Sequence, residues 1–305
     1  MAVENNLEVI ATTVHAFLGE HRDPKAFPVK HGSKKADDMR AIVATLEVNS
    51  LQKSPFLVLL LKLLKVLLRR PENRAALGPY GVNVLTTLMT SACLDAVTCE
   101  CANVVLNMCY DAGNVQHFLE VGGLQALGPL IRSGNDNLQA SGLGALQSVC
   151  FEKAGREATR DGGVIGEVVR LLDADNPKVR ARALGTVHNL STDARSIGII
   201  RKEGGLPHLV KLLRSHEKHV CGGAAGTIQN MSREENSRAL LRTFGVVEPL
   251  ADLLVGRHMK SQQISAAGAL VNIVGPDVQG RENRNLLRSV LTDGIVLGVL
   301  ESCMV

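Results

Sequence analysis

The sequence predicts an all-α solenoid of repeated helical units, and three observations predict it. A short motif recurs with a period of roughly forty residues. It reads Asn107-Met108-Cys109, Ser148-Val149-Cys150, Asn189-Leu190-Ser191, Asn230-Met231-Ser232 and Asn272-Ile273-Val274. A second anchor, a glycine at 81, 122, 162, 204 and 245, keeps the same register with steps of 41, 40, 42 and 41. Between the anchors, apolar residues fall at helical spacing, as in Ala183, Leu184, Val187 and Leu190. A repeat core grows by adding units, so 305 residues read as one repeat domain rather than two globular ones.

Composition sets the class of function. Hydrophobic residues make up 45% but aromatics only 3%, with no Trp, so the core is aliphatic. The net charge of +4 is too small to point to nucleic acid or an anionic membrane. Seven cysteines, an odd number, sit mostly in helical patterns behind an N-terminus without a secretory signal, which implies a reducing compartment. The apolar run Phe56 to Leu68 is broken by Lys62 and Lys65 and is shorter than a membrane span needs. Position 2 is Ala, and Cys303 stands one place too late for prenylation. The expectation is a soluble, cytoplasmic chain with no membrane span.

In chain order, residues 1–38 are an N-terminal helix and a basic linker. Leu7, Ile10, Ala11, Val14, Phe17 and Leu18 mark the helix over 4–18. His21, Arg22, Lys25, Lys30, His31, Lys34 and Lys35 lie in a stretch with no apolar period, read as a solvated loop in which Lys30 to Lys35 is a candidate nuclear address. The repeat domain then spans 39–305. Its first unit, 39–70, is degenerate: Ile42, Val43, Leu46 and Val48 suggest one helix and Pro55 opens another, but Val66 stands in place of Asn. A terminal unit with one bare face is expected to diverge in this way.

The central units, about 71–280, share a plan of three helices. A short helix (Glu72 to Leu77, Gly113 to Leu119, Gly155 to Thr159, Arg195 to Ile200, Asn236 to Leu241) ends at the glycine, which permits a sharp turn. An apolar second helix follows, such as Leu206, Leu209 and Leu212, then a polar turn and a longer third helix. The last unit, 281–305, stops after a second helix, Val296 to Glu301, so it is incomplete.

Three helices per unit, a proline near the second (Pro129, Pro207, Pro249) and third helices reading A-L-G-T-V-H-N-L-S, A-A-G-T-I-Q-N-M-S and A-A-G-A-L-V-N-I-V resemble armadillo repeats over roughly residues 39–305. The resemblance implies a right-handed superhelical solenoid of armadillo three-helix repeats. In that family the matching asparagines hold a partner's backbone along a concave groove. Here they are Asn107, Ser148, Asn189, Asn230 and Asn272, with Ser148 departing from the pattern. Asn carries both a donor and an acceptor, which suits an extended peptide. An Asn near a helix end also bonds neighbouring backbone, which is the structural alternative.

Four residues before each Asn stand Asn103, Gly144, Gly185, Gly226 and Gly268. Where the importin-alpha type carries Trp, this chain has no Trp at all, so capture of a nuclear localisation peptide is not expected. The glycines are expected to leave a flat, open floor for a partner helix or a polar chain. Arg182 and Arg233 lie near the central asparagines, and Lys178, Arg180, Lys211, Arg214, Lys218 and His219 crowd the turns, which favours an acidic partner segment.

Chemistry is not expected. Cys99 and Cys101 are two apart on one predicted helix and point to different sides, so they cannot share a tetrahedral metal. His188 has no nucleophile or carboxylate at a repeated spacing, and the glycine pairs lack the preceding strand of a dinucleotide site. The sequence therefore reads as a non-enzymatic scaffold or adaptor without cofactor or metal, binding a peptide segment or helix of another protein and no nucleic acid. The alternatives are a structural subunit of a cytoskeletal or ciliary assembly, or the repeat portion of a ubiquitin ligase whose catalytic module lies elsewhere.

Overall fold

The computed structural model describes residues 2–23, 36–47, 55–91, 94–256 and 259–275, with residues 281, 282, 284, 285 and 288 beyond them. Most of the expected basic linker, Val48, Cys93 and the expected helix Val296 to Glu301 lie outside the described residues. Every regular element among the described residues is a helix. They form two compact units, residues 1–162 and residues 163–305.

The first unit holds α1 (Ala2–Glu20), α2 (Ala36–Glu47), α3 (Pro55–Leu67), α4 (Pro71–Ser91), α5 (Asp95–Met108), α6 (Ala112–Glu120), α7 (Gly123–Ile131), α8 (Asp136–Val149) and α9 (Lys153–Asp161). The apolar run of α3 is a core helix: Leu57, Leu60, Leu61, Leu64 and Leu67 are buried between α1 on one side and α5 on the other. Helix α5 in turn packs on α8, and α7 covers α8. No described helix is long and apolar enough to cross a membrane.

The second unit holds α10 (Ile165–Arg170) continued by a 3-10 turn (Leu171–Asp173), α11 (Pro177–Leu190), α12 (Ala194–Lys202), α13 (Gly205–Leu213), α14 (Lys218–Met231), α15 (Glu235–Thr243), α16 (Val247–Val255) and α17 (Lys260–Ile273). Helix α11 shows how sequence makes each third helix. Asn176 accepts from the amides of Lys178 and Val179 at 2.9 and 3.4 Å, and Pro177 occupies the first turn, where its missing N–H costs nothing. Val179, Ala183, Leu184, Val187 and Leu190 form its buried stripe. Helix α14 packs against α11, α13 and α17, and α16 covers α17.

The turn into the second helix is made by glycines with positive φ: Gly122 (81°), Gly163 (69°), Gly204 (79°) and Gly245 (67°). Two expected positions move. In the first full repeat the turn is at Gly78 (φ 59°), which kinks α4 ahead of Pro79, while Gly81 is buried in the helix that follows, where a Cβ would strike Leu77. In the third, Gly163 rather than Gly162 takes the left-handed conformation. A repeat anchor located by spacing alone cannot tell which of two nearby glycines carries the strain; only the conformation does.

Candidate functional site

The third helices of residues 163–305 place Asn189 on α11, Asn230 on α14 and Asn272 on α17, and those helices pack in that order. All three asparagines are half-buried. The amide of Asn230 donates through Nδ2 to Ser191 Oγ at 3.0 Å, and that of Asn272 donates to Ser232 Oγ at 3.0 Å. Each bond therefore ties one third helix to the C-terminal end of the one before it. Counting hydrogens fixes the amide orientation. Ser191 Oγ gives its only proton to His188 O at 2.7 Å, and Ser232 Oγ gives its own to Gln229 O at 2.8 Å, so each serine can only accept from the asparagine. The NH2 of each amide faces the neighbouring helix, and Oδ1 stands on the other branch, with no donor on it among the described residues.

In residues 1–162 the arrangement is repeated with different partners. Asn107 on α5 donates to Lys65 O on α3 at 2.8 Å, and Lys65 Nζ pairs with Glu100 at 2.8 Å. Ser148, on α8, is 6% exposed. Cys109 and Cys150 fill the places that Ser191 and Ser232 hold in the later repeats, and both are buried.

The expected open floor is not present at the two glycines where the neighbouring side chains are placed. The ring of His188 lies over Gly226, where a Cβ would come within 3.0 Å of its Cε1, and the amide of Gln229 fills the space over Gly268. Each glycine is thus a seat for the residue preceding the asparagine one repeat earlier. Spacing alone hid this, because a side chain one helix away fills the gap.

Charge on this surface is one-sided. Helices α11, α14 and α17 contain no Asp or Glu. Arg182, Lys178, Lys218, Lys260 and, just past α14, Arg233 are all exposed. The turns are more balanced than the sequence suggests. Lys211 pairs with Asp173 at 2.6 Å, Arg180 with Glu217 at 3.6 Å and Arg214 with Glu248 at 3.7 Å, and the Lys211 pair holds the Asp173 carboxyl below its usual range.

A second ladder escaped the sequence reading. Asn73, Asn114, Gly155, Ser196 and Ser237 recur at steps of 41 on the short first helices, and all five are buried. Asn73 donates to Leu67 O at 2.9 Å and Asn114 to Arg74 O at 2.9 Å. Ser196 donates to Asp193 and Ser237 to Glu234, at 2.7 and 2.5 Å. Arginines beside this ladder close helix ends: Arg74 on Leu68 O and Arg69 O, Arg156 on Cys150 O and Phe151 O, Arg238 on Ser232 O and Arg233 O. Arg284 does the same to Val274 O and Gly275 O. The signal was the strict period of small and polar residues on the short first helices.

Cys99, Cys101, Cys109, Cys150 and Cys221 are free thiols, and burial raises the pKa of each, that of Cys150 to about 12. No group of three or more His, Cys, Asp or Glu among the described residues is placed to hold a metal ion.

Residues 193–233 match the Armadillo/beta-catenin-like repeat model. No curated protein matches the chain. Among solved structures, an engineered protein from the Northeast Structural Genomics Consortium is similar at 25% identity and a TM-score of 0.72, covering 77% of this chain and 96% of that one. A designed armadillo repeat protein is similar at 20% identity and 0.71, covering 77% and 99%. Another, solved in complex with the peptide (KR)4, is similar at 20% identity and 0.69, again covering 77% and 99%. Residues 193–233 are an armadillo repeat, and the all-helical fold around them is that of armadillo repeat proteins.

Proposed function

We propose that this chain is a protein-binding scaffold or adaptor that holds an extended or helical segment of a partner across its third helices, and that the segment is acidic where it meets α11 and α14. The observation that carries this reading is the charge of that surface: three successive third helices without a single carboxylate, bearing exposed Arg182, Lys178, Lys218 and Lys260 and followed by Arg233. The Oδ1 atoms of Asn230 and Asn272 add acceptors for partner N–H groups, and Asn189 extends the row onto α11, the helix that carries Arg182. In residues 1–162, Asn107 and Ser148 occupy the matching places. A designed protein of this fold was solved with the cationic peptide (KR)4, which supports peptide holding as a use of the fold; the opposite sign of charge here argues for the opposite sign of ligand.

The test is fluorescence anisotropy with acetyl-(Glu-Ser)5-amide and acetyl-(Lys-Ser)5-amide. The acidic peptide is expected to bind, to weaken with added salt, and to lose about tenfold in affinity in the Arg182→Gln/Arg233→Gln variant, as two rim charges allow. Equal binding of the basic peptide, or an unchanged affinity in the variant, would overturn the reading.

A further inference from the structure

Among the described residues, the half-buried ring of His188 is the titratable group that the structure seats inside this surface rather than at its rim. Its Nδ1 lies 3.3 Å from Thr227 Oγ1. Thr227 is fully buried and gives its hydroxyl proton to Gly223 O at 2.7 Å, so it can only accept from the imidazole. Nδ1 therefore carries the proton in the neutral ring and keeps it on protonation. The ring's Cε1 rests over Gly226, with Ser265 Oγ beyond, where any larger residue on α14 would displace it. Nε2 is left with no partner among the described residues, on a ring that solvent still partly reaches.

We propose that Nε2 of His188 is the point at which a carboxylate of the partner docks on the third-helix surface of residues 163–305, as an imidazolium–carboxylate pair. The inference rests on the acidic-segment reading above and adds to it the atom that receives the charge. The proton balance is simple. One proton is taken from solvent onto Nε2, the carboxylate remains ionised, and the Nδ1–H bond to Thr227 is unchanged, so the ring is already held in the orientation in which its second N–H faces the ligand. The seat explains why glycine stands at 226: the imidazole occupies the volume of its absent side chain.

In the free protein burial lowers the His188 pKa below its ordinary value, and burial is the sole cause. The charged and titratable groups on the elements packed against α11 are Glu167 and Arg170 on α10, Asp173 on the 3-10 turn, Arg195, Arg201 and Lys202 on α12, and Lys218, His219 and Cys221 on α14. None of them contributes to the shift. A carboxylate on Nε2 raises the pKa again, so the free chain is neutral at this position and the complex is protonated over the interval between the two values. Affinity for an acidic segment accordingly rises as pH falls through that interval, tenfold for each unit by which binding lifts the pKa.

The test uses the full chain and acetyl-(Glu-Ser)5-amide, titrated calorimetrically in buffers of different ionisation enthalpy from about pH 8 to about pH 5, where His and not Glu changes charge. The wild type is expected to bind more tightly at the acid end and to take up close to one proton more per peptide than His188→Gln, which keeps a neutral side chain of similar size. Every other histidine is common to the two proteins and cancels in the difference. Equal pH slopes in the two would overturn the role of His188 while leaving the acidic-segment reading in place. Failure of the peptide to bind the wild type at any pH would overturn both. A nitrogen NMR spectrum of the unliganded chain needs no variant: the proton of the neutral ring is expected on Nδ1, and the reverse tautomer refutes the geometry on which the docking point stands.

Discussion

Replacing Asn230 by Ala separates what this asparagine does for the fold from what it does for a partner. The substitution removes the 3.0 Å bond from Nδ2 to Ser191 Oγ, and the serine is fully buried. A net hydrogen bond contributes about 1 kcal/mol, and a buried acceptor left without its donor costs about another 1 kcal/mol when solvent reaches it only partly. The expected loss is therefore about 2 kcal/mol, or about 4–8 °C in melting temperature for a unit of this size. The assay is urea unfolding followed by circular dichroism in a double-mutant cycle with Ser191→Ala. Ser191 keeps its own bond to His188 O only while it has a hydroxyl, so the serine variant also loses stability. The two losses should fall short of additivity by about 1 kcal/mol, since removing either partner already breaks the shared bond. Additivity within about 0.3 kcal/mol would refute the staple and return the amide to the surface as a free recognition group.

Three further outcomes follow from the same geometry. Gly155→Ala would drive a Cβ into Val149 O at the end of α8, and should destabilise by about 1–3 kcal/mol, whereas Gly134→Ala, with nothing within 4 Å of the new carbon, should be close to neutral; thermal melts of both check this. Glu234 holds Arg201 through bonds of 2.9 and 3.1 Å, and Arg201 lowers its pKa from the ordinary 4.5. A depressed carboxylate stabilises at neutral pH and loses that contribution as pH falls below 4.5 through the folded value, so Glu234→Gln should unfold with a shallower acid dependence than the wild type. Iodoacetamide mapped by mass spectrometry should modify half-buried Cys99 well before Cys101, Cys109 and Cys150, whose thiols are buried; fast labelling of Cys150 in the native chain would contradict the packing of α8 on α5.

Much of the architecture was legible because a repeat states its pattern several times. One helix reading A-L-G-T-V-H-N-L would say little, but its recurrence marks the ends of α5, α8, α11, α14 and α17: Asn107, Ser148, Asn189, Asn230 and Asn272 each stand one residue before the last of their helix. What spacing could not supply was conformation and neighbours. Gly78 and Gly81 are indistinguishable as letters, yet only one has positive φ. The glycines at 226 and 268 read as vacant floor because their occupants, His188 and Gln229, come from another helix. The basic turns looked like a rim of free charge because Asp173, Glu217 and Glu248, which neutralise three of those cations, sit up to 38 residues away in sequence. The second ladder at 73, 114, 155, 196 and 237 was fully periodic, but its residue types change from Asn to Gly to Ser, and identity draws the eye before periodicity does.

The asparagine itself shows why recognition and stacking need not compete for one side chain. Its inward duty requires a donor, because both Ser191 and Ser232 have their protons committed to carbonyls. An outward duty toward peptide N–H groups requires an acceptor. Among residues of this size only Asn offers both on one rigid plane, so a scaffold can use a single position per repeat to hold its helices together and to face a ligand. Aspartate tests the division. Asn230→Asp keeps an oxygen toward the surface but turns the inward donor into a second acceptor facing Ser191 Oγ, so it should destabilise at least as much as Ala at neutral pH. It would also add a negative charge to α11, α14 and α17, which otherwise have no carboxylate, and binding of acetyl-(Glu-Ser)5-amide should fall further than in Asn230→Ala. If instead the Asn230→Asp variant were the more stable protein, Ser191 would have to be donating to the new carboxylate, and the hydrogen count that fixes every amide orientation on this surface would be wrong.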